Sequence, residues 1–144
     1  MNSKDKITYI SNWIKDYALS INKNPTTLVI GVSGGVDSAL TSTLCALTGL
    51  KTIAVSMPIK QNSSQHDLSL RHLDFLKNKF PNVETKVVDL DNVFKTFQVA
   101  MQNFDSELAF ANSRSRLRMV TLYQIAQSNN GIVVGTGNKV EDFG

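Results

Sequence analysis

A chain of 144 residues is long enough for one domain with its own hydrophobic core. Its 42% hydrophobic and 19% charged residues exclude a disordered chain, and no apolar run approaches the roughly 20 residues that span a bilayer. The net charge of +3, from 15 basic and 12 acidic residues, lacks the dense basic stripe of a nucleic-acid binder, so neither nucleic acid nor membrane is an expected partner.

Ile7, Ile10, Ile14, Tyr17, Ala18 and Ile21, with Trp13 beside them, recur at helical spacing, and Asn24-Pro25 breaks the pattern. Leu28 to Val32 is a short continuous apolar run, the mark of a strand buried on both faces of a parallel sheet. After a glycine-rich turn, Leu40, Leu44 and Leu47 mark a helix that stops at Gly49. Thr52 to Met57 predicts a second strand, ended by Pro58. Leu68, Leu73, Phe75 and Leu76 predict a third helix, closed by Pro81. Lys86 to Leu90 predicts a third strand, 92–103 and 107–128 two further helices, and Ile132 to Val134 a fourth strand running into Gly135-Thr136-Gly137. This alternation predicts a single α/β domain over 1–144, a doubly wound parallel sheet with helices on both faces. Ligands of such sheets bind at the carboxyl ends of the strands, where the turns at 31–35 and 135–137 fall.

The first of these turns carries the chemistry. Gly31-Val32-Ser33-Gly34-Gly35-Val36-Asp37-Ser38 lies between a buried strand and a helix. Its glycines permit positive φ and remove Cβ atoms, so backbone N–H groups can converge on an anion. The next helix adds its unpaired first-turn N–H groups and the positive end of its dipole, and Ser33 and Ser38 add hydroxyl donors. A carboxylate beside bound phosphates needs an intervening cation, which makes Asp37 a candidate Mg²⁺ ligand. The bland alternative is a tight strand-to-helix turn with Asp37 or Ser38 as the helix cap. A Walker loop is excluded because Gly35 is followed by Val36-Asp37 rather than Lys and Ser or Thr, and the glycine spacing does not match a dinucleotide fingerprint.

The string resembles the pyrophosphate loop of the adenine-nucleotide α-hydrolase-like superfamily, a Rossmann-like fold whose members cleave ATP between its α and β phosphates. Two further segments narrow the resemblance: Asn112-Ser113-Arg114-Ser115-Arg116-Leu117-Arg118-Met119, with Tyr123 a few residues on, and Gly135-Thr136 followed by Glu141. Together the three resemble the NAD synthetase family, in which Ser115 is usually Ala.

That resemblance implies a ligase. ATP and Mg²⁺ would serve to adenylate the nicotinate carboxylate of deamido-NAD, and ammonia would then displace AMP to give NAD. It implies that Gly31, Val32, Ser33, Gly34, Gly35, Val36, Asp37, Ser38 and Thr136 hold ATP, and that Asp37 and Glu141 ligate Mg²⁺. Arg116 would bind deamido-NAD, with Tyr123 near its ring system, and Gln65 and Ser56-Met57 would lie by the adenine. It also implies a homodimer, to which the apolar helices after residue 92 would contribute. No glutamine-hydrolysing domain is present in these residues, which implies the ammonia-dependent form. Relative to the family pattern the sequence stops at Gly144, which implies an apparently truncated domain with the ATP half-site present and the substrate site incomplete.

Helix geometry leaves the arginines open. Arg114 and Arg118 share a face while Arg116 is turned about 200° from each, so either Arg116 or the other two reach a ligand. His66 and His72 have the wrong spacing for a shared metal and read as surface histidines. Phe94, Phe97, Val99, Met101 and Phe104 read as core or dimer contact. Lys60 and Lys139 read as solvated charges, and Cys45 as a buried small residue. A polar N-terminus and a single cysteine place the expected location in the cytoplasm. The competing functions are another pyrophosphate-loop amidoligase, a tRNA-modifying enzyme (for which one cysteine offers no zinc pair), and a nucleotide-binding fragment without turnover.

Overall fold

Strands and helices alternate along the chain in a computed structural model that describes residues 2–21, 26–59 and 63–135. The elements are α1 (Ser3–Ile21), β1 (Thr27–Gly31), α2 (Val36–Leu47), β2 (Thr52–Ser56), α3 (Ser63–Lys79), β3 (Val83–Val87), α4 (Asp91–Ala100), α5 (Glu107–Ser128) and β4 (Gly131–Val133). The strands form one sheet in the order β3-β2-β1-β4. All pairings are parallel, with Leu28 opposite Thr52, Thr52 opposite Val83 and Thr27 opposite Gly131.

Alternation along β1 sends its side chains to two cores. Leu28 and Ile30 meet Cys45 and Ala46 of α2, Leu73 and Leu76 of α3 and Ala18 of α1. Val29 faces the other way, with Ile53 and Val55, onto Phe94 of α4 and Phe110, Leu122 and Ala126 of α5. Each such fully buried aliphatic side chain contributes about 1.5–3 kcal/mol. Helices therefore cover both faces, as a doubly wound sheet requires. The winding runs from β1 through β2 to β3, then returns to place β4 on the far side of β1. The strand order thus reverses between β1 and β4, and the crevice at their carboxyl ends is the topological switch point.

Two local expectations are corrected. The third strand is Val83–Val87, not Lys86 to Leu90: Val88 and Leu90 lie beyond the strand, where their N–H groups donate to Ser56 O and Pro58 O, and Leu90 is the N-cap of α4. The fourth strand is Gly131–Val133, although Val134 N still donates to Val29 O at 2.9 Å. The apolar stripe of α1 divides: Ala18 is buried and Ile14 packs against the same core, while Ile7, Ile10, Trp13 and Tyr17 are exposed. Ser11 Oγ donates to Leu44 O at 3.2 Å and draws α1 onto α2. The breaker Asn24-Pro25 and Lys60 lie outside the described residues.

Cys45 is fully buried in the α2 core, and burial pushes its thiol up to about 12. It therefore stays protonated and shielded at neutral pH. The native chain is expected to resist a thiol reagent at pH 7 and to react once unfolded in denaturant. Rapid labelling of the native chain, followed by mass spectrometry, would contradict this burial.

Candidate functional site

The glycine-rich loop sits at the switch point, and its shape follows from contacts that exclude side chains. At Gly31, where β1 ends, a Cβ would lie 3.1 Å from Met57 Cε and 3.5 Å from Leu122 Cδ1. Val32 N extends the ladder by donating to Val55 O at 2.8 Å. The chain then turns at Gly34, whose φ is +91° and whose Cβ would lie 2.6 Å from the Gln65 carbonyl oxygen at the start of α3. Only glycine fits both constraints. Gly35 is the N-cap of α2 and no side chain caps the helix. Neither Asp37 nor Ser38 serves as a cap, and the first-turn N–H groups, which have no acceptor within a helix, remain for an anion.

Ser38 differs from the expectation of a phosphate-facing donor. Its hydroxyl is buried, accepts from Ser33 N at 3.1 Å, donates to Gly35 O at 3.2 Å and lies 3.2 Å from Ser33 Oγ. Gly35 N donates to Ser33 Oγ at 3.3 Å. These bonds close the loop on itself and shape its curve. Asp37 stands exposed in the first turn of α2. Among the described residues no three His, Cys, Asp or Glu side chains converge as a metal cage. Mg²⁺ commonly takes one or two carboxylates and completes its shell with water and phosphate oxygens, so the chemistry of one exposed carboxylate beside a glycine-rich helix start is compatible with that ion.

Helix α5 resolves the arginines into two faces. Arg114 and Arg118 share the inward face: Arg118 is half-buried and donates Nε–H to Met57 O at 2.9 Å, and the Arg114 guanidinium lies 5.3 Å from the Phe94 ring centre. Burial, and secondarily the like charge of Arg114, lowers the Arg118 pKa from its ordinary value. Arg116 is exposed and turns back to Asn112 O at 3.4 Å, and Tyr123 is exposed two turns further along. Arg116 is thus not on the face that carries Arg118. Ser56 is buried with its hydroxyl 3.0 Å from Ser69 Oγ, so its side chain points to α3. Thr136, Glu141 and Lys139 lie outside the described residues.

The histidines are not simple surface residues. His66 Nδ1 is buried without a hydrogen-bond partner among the described residues. His72 Nε2 lies 2.8 Å from the fully buried Ser42 Oγ of α2, and its ring stacks on Phe75 with centroids 5.7 Å apart. Burial lowers the His72 pKa, partly offset by the Ala39 backbone. His72, Leu68 and Phe75 of α3 face Gly34, Gly35 and Ser38 across a pocket of about 320 Å³. Sequence reasoning missed the pairing of His72 with Ser42 and left open which arginines turn inward. Helical spacing groups Leu68, His72 and Phe75 on one side, but nothing local in the sequence pairs that side with Ser42.

A parallel sheet wound on both faces, with a glycine loop at its switch point leading into a helix that no side chain caps, defines a doubly wound α/β protein. The chain belongs to the NAD synthase family, which matches residues 6–143. The NH(3)-dependent NAD(+) synthetase of Methanococcus aeolicus is 34% identical over 149 residues, covering 99% of this chain and 56% of that protein. Among solved structures, the NMN synthetase from Francisella tularensis is 32% identical with a TM-score of 0.83, covering 98% of this chain and 57% of that one. The NH3-dependent NAD synthetase from Campylobacter jejuni, in complex with nitrate, is 28% identical with a TM-score of 0.81, covering 98% and 59%. The chain spans about half the length of the curated relatives it matches.

Proposed function

We propose that this chain is the ATP-binding part of an ammonia-dependent NAD synthetase. The observation that carries the reading is the uncapped loop at the switch point, with Gly34 pressed on α3 and the first-turn N–H groups of α2 left for an anion. Gly31 to Ser38 would cradle the β and γ phosphates of ATP, and Thr136 would add a further contact. In the first step the carboxylate oxygen of deamido-NAD attacks the α-phosphorus and pyrophosphate leaves. In the second, ammonia attacks the acyl carbon, a proton is lost and AMP departs. The loop amides stabilise charge developing on the leaving pyrophosphate, and the rest is positioning. Asp37, with Glu141, would hold Mg²⁺, which when bound neutralises phosphate charge.

Arg116 and Tyr123 would bind deamido-NAD. They share an exposed face of α5 with the large apolar side chains of Met119 and Val120. That face suits a second copy of the chain, so a homodimer is part of the proposal. No helix among the described residues is long and apolar enough to cross a membrane. A cytoplasmic location is part of the proposal. A second reading, amidation of the corresponding mononucleotide, is favoured by the likeness to an NMN synthetase.

The test is to incubate the chain with ATP and Mg²⁺, with deamido-NAD or nicotinic acid mononucleotide, with and without ammonia, and to follow AMP and the amidated product. Ammonia-dependent product from one acceptor identifies the substrate. ATP binding without AMP release supports a nucleotide-binding part that lacks turnover. For Asp37→Ala, Mg²⁺-dependent ATP binding is expected to fall at least tenfold, about 1.4 kcal/mol. Unchanged Mg²⁺ dependence in titration calorimetry would remove Asp37 from the metal site.

A further inference from the structure

Among the described residues, two of the contacts between the loop or the first turns of α2 and α3 differ in kind. The upper one is steric: Gly34 lies so close to α3 that a Cβ there would sit 2.6 Å from Gln65 O and 3.3 Å from Leu68 Cβ. It limits how near the loop can come but holds nothing in place. The lower one is directional: His72 Nε2 lies 2.8 Å from Ser42 Oγ. Ser42 Oγ also bonds Ala39 O at 3.1 Å; with its one proton placed there, Ser42 accepts from the Nε2–H tautomer of His72, whereas the other tautomer reverses the bond. Ala39 N in turn donates to Gly35 O at 3.1 Å, the first helical bond of α2. The same Gly35 carbonyl accepts from Ser38 Oγ. An unbroken chain of hydrogen bonds therefore runs from α3 through Ser42, Ala39 and Gly35 to the hydroxyl that closes the loop.

Apolar packing joins α2 and α3 farther from the loop, where Cys45 and Ala46 share a core with Leu73 and Leu76, but not at the loop end. Beside His72 the seam between α2 and α3 opens into the pocket of about 320 Å³, and Leu68 and Phe75 on its wall are 47% and 43% exposed. Where side chains do not interdigitate, the spacing of two helices is set by whatever directed bond crosses between them. The imidazole is braced for that role by its stack on Phe75.

We propose that His72 is a positioning residue for the glycine loop: its bond to Ser42 fixes the loop end of α2 against α3 and so holds the first-turn N–H groups of α2 at the spacing that accepts phosphate. The consequence for ATP rests on the proposed function, whereas the consequence for the loop itself does not. Burial, which favours the neutral imidazole, is consistent with a ring that serves as donor rather than as a charge.

The experiment compares His72→Ala, His72→Gln and Ser42→Ala in the full chain, with and without Mg-ATP. Hydrogen exchange at the amides of residues 33–38 reads the loop directly, calorimetry reads ATP affinity, and thermal melting reads global stability. His72→Ala is expected to speed exchange in the loop and to weaken ATP binding on the order of five- to tenfold, the worth of one buried hydrogen bond. His72→Gln, whose Nε2–H can reach the same acceptor, is expected to restore both to within about threefold. Combining His72→Ala with Ser42→Ala should add little to either alone. Loop exchange unchanged in His72→Ala, or a Gln variant no better than Ala at equal melting temperature, would overturn the proposal. If the parent chain binds no ATP, the proposed function fails, and the exchange measurement still decides the role of His72.

Discussion

Gly34→Ala is expected to abolish measurable phosphate binding while the neighbouring Gly35→Ala largely preserves it. The two glycines look equivalent in the sequence, yet their surroundings differ. At Gly34 the backbone has φ +91°, a region that costs a non-glycine residue roughly 1–3 kcal/mol. The added methyl group would also lie 2.6 Å from the Gln65 carbonyl oxygen. That neighbour is backbone in the first turn of a helix, so no rotamer change relieves the clash, and overpacking of this kind costs about 1–3 kcal/mol more. The loop must move off α3 or the turn must flip, and either displaces the N–H groups that converge on the anion. At Gly35, φ is −84° and the new Cβ would meet Ser33 Oγ at 3.5 Å, an ordinary contact. Its cost is the poorer N-cap quality of Ala, under about 1 kcal/mol. Calorimetric titration with Mg-ATP should show a loss of at least roughly 100-fold for Gly34→Ala, about 2.8 kcal/mol, and less than tenfold for Gly35→Ala. Equal losses in the two variants would mean that the contact with α3 does not govern the loop.

What could be read from the sequence follows from which forces act locally. β1 and β2 are interior strands, and burial on both faces wrote β1 as the continuous apolar run Leu28 to Val32 and β2 as a largely apolar segment, Thr52 to Met57. β3 is an edge strand with Glu84 and Lys86 within it and only Val83 buried, so the apolar run just after it drew the prediction towards Leu90. The loop was legible because glycine φ and helix-terminus chemistry depend on adjacent residues. The Ser42–His72 bond was not, because it joins two helices across a crossover and leaves no local pattern. The same holds for Arg118, whose partner Met57 O lies at the end of another element. Periodicity placed Arg114 and Arg118 together, but only the packing of α5 decided that their side faces inward. On α1, periodicity marked an apolar stripe without telling which of its residues reach the core, because the pattern records a preference for apolar contact and not its partner.

Phe94→Ala is expected to be the most destabilising single change in the core beneath α5. Phe94 is fully buried and is the buried residue of α4, so that helix is held to the sheet chiefly by one ring. The ring packs edge-on against Phe110 at 5.9 Å and tilted against Phe97 at 6.0 Å, and the Arg114 guanidinium lies 5.3 Å from its centre. Truncation removes the transfer free energy of the ring and leaves a cavity that α4 and α5 cannot both close, a cost of about 3–5 kcal/mol. The edge-to-face pair adds about 0.5–1.5 kcal/mol beyond buried area. A chain of this size has roughly 5–15 kcal/mol in total, so the melting temperature should drop by on the order of 10 °C. Phe94→Leu, which refills most of the volume, should recover more than half of the loss. The damage should also reach the inward face of α5: with the ring gone, Arg114 loses its platform and is freed to move relative to Arg118. Exchange at α5 amides should therefore rise in Phe94→Ala, while that of α2, on the opposite side of the sheet, stays near the parent value. A loss below about 1 kcal/mol, or an equal rise in exchange on both sides, would show that α4 is docked by something other than this ring.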